Sequence, residues 1–156
     1  MFKRIVFFLF LNFVGLAIGS SFTGNGVSSV WYQNLAKAPW TPPGWVFGAA
    51  WSSIMICFAI FMAYLTFKNL SPKKVYALYA IQWVLNVAWN PAFFFFEATF
   101  IGLLIISLLT IVVAYFLFNY RTQLQYKSLF VAPYFIWLLV VRQWGTQEDV
   151  TEFLEI

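Results

Sequence analysis

The stretch FIGLLIISLLTIVVAYFLF, Phe100 to Phe118, contains no charged residue. Wound as an α-helix at about 1.5 Å per residue, it comes close to the roughly 30 Å of hydrocarbon in a bilayer. Its apolar residues run on without the every-second-residue alternation of a membrane barrel strand. In lipid a backbone has to satisfy its own N–H and C=O groups, so the stretch reads as a transmembrane helix. On either side of it, four further runs have the same character: about 5–22 after Lys3 and Arg4, about 47–67 before Lys68, about 75–96 after Lys73 and Lys74, and about 129–144. The expected fold class is therefore an all-α membrane protein, a single domain over residues 1–156 built as a five-transmembrane-helix bundle. A helical, proline-rich loop joins its first two helices. Residues 145–156, with Glu148, Asp149, Glu152 and Glu155, read as an acidic tail.

Composition agrees. Hydrophobic residues are 63% of the 156 positions and charged residues 9%, against about 25% charged in soluble domains. The helices and short loops leave no room for a soluble catalytic domain. There is no histidine and one cysteine, Cys57. These counts remove the commonest general base, the usual haem axial ligand, an internal disulfide and a cysteine-rich metal site, so no metal centre is expected. The net charge of +4 is no nucleic-acid signal, because the basic residues are scattered over the ends of the spans.

Those ends set an expected orientation. Lys3, Arg4, Lys68, Lys73, Lys74, Arg121 and Lys127 fall on one side of a five-span topology, and Lys37 and Arg142 on the other. The positive-inside rule then puts the N-terminus in the cytoplasm and the C-terminus outside. Loop 23–46 lies outside as well. A bacterial plasma membrane is the expected location. The basic start, apolar stretch and small residues Gly19, Ser20 and Ser21 also fit a signal peptide. The length of the run and the Gly15-x-x-x-Gly19 spacing fit a helix-packing face better. The short link from Glu97 to Thr99 makes the third and fourth helices antiparallel neighbours.

Three groups of residues could carry function. In the first loop, Ser28 to Lys37 has the spacing of a short helix capped by Ser28 or Ser29, and Pro39, Pro42 and Pro43 stiffen the approach to the second span. With Trp31, Tyr32 and Trp40 the loop fits a lid over the bundle mouth, and it equally fits an aromatic belt at the interface. In the second span Phe47, Trp51 and Met55 share a helix face. In the third, Gln82, Asn86 and Asn90 recur at the same interval with Trp89 beside them. Amides facing lipid are costly, so this stripe turns toward other helices or a polar cavity. Pro91 frees the carbonyl of Val87 and calls for a kink. In the fifth span Tyr134 and Trp137, behind Pro133, share a face on the cytoplasmic half. No acid–base set accompanies any of them. Helix packing alone also accounts for each group.

These blocks together resemble the TspO/translocator-protein family. The resemblance runs through W-Y-x-x-L-x-K-x-P-W-x-P-P at Trp31 to Pro43, then Phe47 and Trp51, then Q-x-x-x-N-x-x-W-x-x-x-F-F at Gln82 to Phe94, and Pro-Tyr-x-x-Trp at Pro133 to Trp137. It implies a five-helix bundle, commonly a homodimer, that binds protoporphyrin IX, haem or related planar apolar ligands. Some relatives promote light- and oxygen-dependent porphyrin breakdown. Transport of porphyrins or sterol-like molecules is the alternative activity. Carried onto this chain, the ligand-binding residues are Trp31, Tyr32, Pro42, Phe47, Trp51, Asn86, Trp89, Tyr134 and Trp137. Trp51 and Trp137 are the redox-active, catalytic pair. No cofactor is required beyond the tetrapyrrole ligand. Two departures stand out: Ala38 is inserted between Lys37 and Pro39, and bulky Val140 and Val141 precede Arg142 where the family has small residues. Of a sterol-recognition pattern only a loose match at Val112, Tyr115 and Arg121 is present.

Overall fold

Apolar runs without internal breakers make long helices, and the computed structural model, which describes residues 1–34, 43–68 and 72–154, is built of them. Helix α1 spans Phe2–Val27 and is followed by a short α2, Val30–Asn34. Helix α3 spans Gly44–Lys68 and α4 Pro72–Asn90. At Pro91 the helix does not end. It widens into a π-helical turn, Pro91–Phe95, in which Phe96 N–H donates to Pro91 O at 3.0 Å. A wider turn is one way to accommodate a ring that supplies no N–H. Helix α5 spans Thr99–Asn119, α6 spans Arg121–Leu124, a 3₁₀ segment covers Gln125–Val131, and α7 spans Ala132–Leu154.

Helix α1 packs on α3 and α4, α4 on α5, and α5 on α7, while the 3₁₀ segment wedges against α3. Phe58, Phe61, Met62, Phe116 and Tyr134 fill the centre, fully buried. On α5, Ile106, Leu109, Val113 and Phe116 turn inward, and Phe100, Leu104, Leu108 and Ile111 are exposed. A helix apolar on both faces belongs in lipid. Among the described residues, four helices are long and apolar enough to cross a membrane: 2–24, 45–68, 99–119 and 121–143. Helix α4 is not among them, because it carries its amides. Gln82 and Asn86 are buried on its inner face while Ile81 and Val84 are exposed on the outer one.

Arg4, Lys68, Lys74 and Lys127 gather at one end. Arg4 Nη1 donates to Thr66 O at 3.0 Å, Lys74 Nζ to Tyr115 Oη at 2.9 Å, and Gln123 Nε2 to Lys68 O at 3.3 Å. Lys127 Nζ stands 4.1 Å from the centre of the Tyr64 ring.

The structure departs from the sequence reading at the last span. The crossing begins near Arg121 and enters through the 3₁₀ segment, whose Ser128 and Val131 are buried. Tyr134 consequently lies deep in the bundle, its ring 5.3 Å from Phe58 and 5.9 Å from Trp51, rather than near the cytoplasmic end. Helix α7 also runs on to Leu154 without a break where a separate tail was expected from residue 145. The Gly15-x-x-x-Gly19 face is spent inside the bundle. A Cβ on Gly15 would come within 2.8 Å of Trp83 Nε1, and one on Gly19 within 2.5 Å of Asn90 Nδ2.

Candidate functional site

The site grows from the polar face of α4. Tyr79, Gln82 and Asn86 point into the bundle at three- and four-residue spacing, all buried. Tyr79 Oη donates to Asn12 Oδ1 at 2.7 Å, and Asn12 Nδ2 donates to Met55 O at 3.0 Å, so one network ties α1, α3 and α4. Gln82 Nε2 donates to Tyr134 Oη at 2.8 Å, and Tyr134 Oη donates to Asn86 Oδ1 at 2.9 Å, tying α4 to α7. Thr23 Oγ1 donates to Asn90 Oδ1 at 2.7 Å. Buried amides and hydroxyls without partners would be costly, and these bonds explain how an apolar bundle tolerates them.

Above this network lies a cavity of about 530 Å³ between α1, α3 and α4. Phe47, Trp51 and Ser52 of α3 wall it, with Asn86, Trp89 and Asn90 of α4 and Phe94 of the π turn. Helix α1 supplies Phe13, Ala17, Ser20 and Gly24, which recur at helical spacing. The volume falls in the range of small-molecule pockets, and the aromatic walls with a few amides match their usual lining. Trp51 and Trp89 stand 6.5 Å apart, and Trp89 stacks on Phe93 at 5.7 Å.

The short helix α2 sits against this aromatic wall. Ser29 Oγ accepts the Tyr32 N–H at 3.1 Å, an N-cap that starts the helix. The Trp31 ring meets Phe93 at 5.4 Å and the Tyr32 ring meets Phe94 at 5.6 Å. Burial holds the Tyr32 phenol above its ordinary range. Helix α2 therefore rests on Phe93 and Phe94, and Phe94 also lines the cavity.

The residues singled out from sequence thus fall into layers. Phe47, Trp51, Asn86 and Trp89 line the cavity together. Tyr134 stands behind them, fully buried, touching Trp51 by its ring and Asn86 by its hydroxyl. Trp137 packs edge-on against Phe47 at 5.6 Å and is not among the residues that line this cavity. Trp31 and Tyr32 reach the site through Phe93 and Phe94. Pro42, with Pro39 and Trp40, lies outside the described residues. The α1 wall was missed from sequence, although the spacing of Phe13, Ala17, Ser20 and Gly24 was there to be read. Gly15, which lines the cavity too, was read from sequence only as part of a helix-packing face.

Comparison with known proteins finds relatives over most of the chain. The sequence model of the TspO/MBR family matches residues 7–142. The chain is 30% identical over 131 residues to the tryptophan-rich sensory protein of Cereibacter sphaeroides, covering 83% of this chain and 82% of that protein. It is 28% identical over 132 residues to the tryptophan-rich protein TspO of Chlorobaculum tepidum, with 80% and 84% covered. Against the human translocator protein it is 37% identical over 86 residues, 52% of this chain and 50% of that one.

Proposed function

The chain belongs to the TspO/MBR family of integral membrane proteins, and on that premise we propose that it is a membrane receptor and sensor that takes protoporphyrin IX or haem into the cavity between α1, α3 and α4. The observation that carries this reading is the convergence of Trp51, Trp89, Phe47 and Asn86 on one cavity of about 530 Å³. Flat apolar rings gain most from aromatic faces, and the amides give polar ligand atoms a partner. The names of the relatives, a sensory protein and a translocator protein, support the same class.

Helix α4 is the fifth crossing in this reading. With its π turn it spans residues 72–95, long enough at about 1.5 Å per residue, and its amides are turned away from lipid. The basic end holding Arg4, Lys68, Lys74 and Lys127 faces the cytoplasm, which supports an N-terminus inside a bacterial plasma membrane and a C-terminus outside. A homodimer is the assembly proposed from the family resemblance. No resident cofactor is required.

Slow photochemical turnover follows from the same placement. A bound porphyrin absorbs light and passes its energy to dioxygen, and Trp51, with Trp137 one ring further back behind Phe47, is the redox-active neighbour. Titration with protoporphyrin IX, followed by tryptophan fluorescence in detergent, tests binding. Saturable quenching that weakens in Trp51→Phe is expected, and its absence would overturn the assignment. Loss of porphyrin absorbance under light and oxygen tests turnover. Product formation unchanged in the Trp51→Phe/Trp137→Phe double variant would reject the tryptophan role. A transporter is the second reading, favoured by the exposed rim residues Phe13, Ser20 and Gly48. Porphyrin flux across protein-containing vesicles distinguishes it.

A further inference from the structure

We propose that Tyr134, which does not line the cavity, decides which chemistry the cavity accepts: it holds the Asn86 amide so that its N–H groups face inward, and the site thereby selects planar apolar molecules with a hydrogen-bond acceptor oxygen on their edge. This deepens the function proposed above and rests on the reading of that cavity as the ligand site.

One proton sets the direction of the network. Gln82 Nε2 donates to Tyr134 Oη at 2.8 Å. A phenol has a single proton to give, and here it goes to Asn86 Oδ1 at 2.9 Å. With its carbonyl oxygen turned toward Tyr134, which does not line the cavity, Asn86 keeps its NH₂ for the cavity that it does line. Tyr134 is 0% exposed and Gln82 1%, so water does not compete for either bond. Amide orientation in a structure follows from the surrounding network, and here the network has a direction. Gln82 Oε1 is buried with no hydrogen-bond partner among the described residues. Reversing the chain of bonds would satisfy that oxygen but leave both Gln82 N–H groups stranded. Orphaned buried donors are the rarer defect.

A second amide has its oxygen pinned in the same way, but its NH₂ is partly committed, Asn90 Nδ2 donating to Asn86 O at 3.4 Å. Thr23 Oγ1 donates to Asn90 Oδ1 at 2.7 Å, the shorter of its two contacts, the other being Gly19 O at 3.2 Å. Asn90 lines the same cavity. The indoles of Trp51 and Trp89 on its walls are donors only. No basic side chain lines it among the described residues. Hydroxyls of Ser20, Thr23 and Ser52 also lie on the α1 and α3 walls, but at the Asn86 edge, between the two indoles, the polar groups are neutral donors, and carbonyl or carboxylate oxygen is their complement. Tyr134 is a positioning residue: it acts through Asn86.

Three flat tricyclic probes of nearly equal shape test this on the full-length protein in lipid nanodiscs, by tryptophan fluorescence. Fluorenone carries an acceptor oxygen, carbazole a donor N–H, and fluorene neither. Wild-type protein is expected to favour fluorenone over fluorene by about three- to tenfold, the range of one neutral hydrogen bond, and to gain nothing from carbazole. In Tyr134→Phe the Asn86 amide is free to turn either way, so the fluorenone-to-carbazole ratio falls toward one, while fluorene affinity stays within about twofold. The ratio compares two ligands on one variant, so partial loss of folded protein does not move it. In Gln82→Leu nothing pins the direction of the Tyr134–Asn86 bond, and the fluorenone-to-carbazole ratio falls toward one. A Tyr134→Phe protein that keeps the fluorenone preference over carbazole, or a wild-type protein without one, overturns the relay. If protoporphyrin IX still binds in either case, the site reading survives. If neither the tricyclic probes nor protoporphyrin IX binds the wild-type protein, the site reading fails and the relay falls with it.

Discussion

Two glycines two residues apart should answer the same substitution with opposite signs. A Cβ built on Gly26 would lie 2.5 Å from Phe94 Cβ and 2.6 Å from Phe94 Cδ1, whereas one on Gly24 meets nothing within 4 Å. Ordinary contact begins near 3.4 Å, so in Gly26→Ala Phe94 has to retreat by about 1 Å. Its Cβ is held by the backbone of the π turn, and no rotamer change relieves the clash. Overpacking of this kind costs about 1–3 kcal/mol. Replacing a helical glycine by alanine returns up to about 1 kcal/mol. The net expectation is a loss of up to about 3 kcal/mol for Gly26→Ala and a gain of up to about 1 kcal/mol for Gly24→Ala. The consequence for function is specific. Phe94 lines the cavity and meets both Tyr32 and Trp89, at 5.6 and 5.8 Å. Displacing it loosens α2 and reshapes the cavity wall together. Reversible unfolding in detergent, paired with protoporphyrin titration, reads both effects. If the two alanine variants shift stability in the same direction, the close α1–Phe94 approach is wrong.

Single contacts give further expected outcomes. Asn12→Leu removes the bond from Tyr79 at 2.7 Å and the bond to Met55 O at 3.0 Å, an expected loss of about 1–3 kcal/mol at roughly 0.6–1.7 kcal/mol per interhelical bond. Adding Tyr79→Phe to that variant should cost almost nothing, and additive losses in the double-mutant cycle would refute the pairing. Gln125 has φ 52° and ψ −129°, a backbone region suited to glycine. Gln125→Gly should therefore raise the unfolding temperature, by the equivalent of about 1 kcal/mol, and a lowered one contradicts the strain. Ser29→Ala deletes the cap on Tyr32 N–H. It should cost about 1 kcal/mol locally, seen as faster amide exchange in α2 and weaker ligand binding with global stability nearly unchanged.

How much could be read without coordinates depends on range. Apolar runs and prolines act locally, and lipid accepts a helix whatever its neighbours, so the elements around Phe100–Phe118 and Phe47–Phe67 were expected close to where they lie. The amide stripe of α4 had to face inward on energetic grounds alone, and the cap of α2 needed only Ser29 and the residues after it. The last span was misjudged at its start because Ser128 and Val131 are buried where the 125–131 segment meets α3 and α5, a fact of packing that no local pattern records.

Composition and spacing were enough to place this chain among lipids, to make its helices long, and to assign Trp51, Asn86 and Trp89 to inward faces, because each conclusion rests on the cost of placing one residue type in one solvent. Packing between helices was needed for the rest: that α1 closes the cavity through Phe13, Ala17, Ser20 and Gly24, that Tyr134 stands behind Asn86 rather than beside it, and that Trp137 reaches the site through Phe47. A helix that is apolar on every side carries no mark of which face meets protein and which meets lipid. The direction of a hydrogen-bonded amide is likewise written on its partner from another helix.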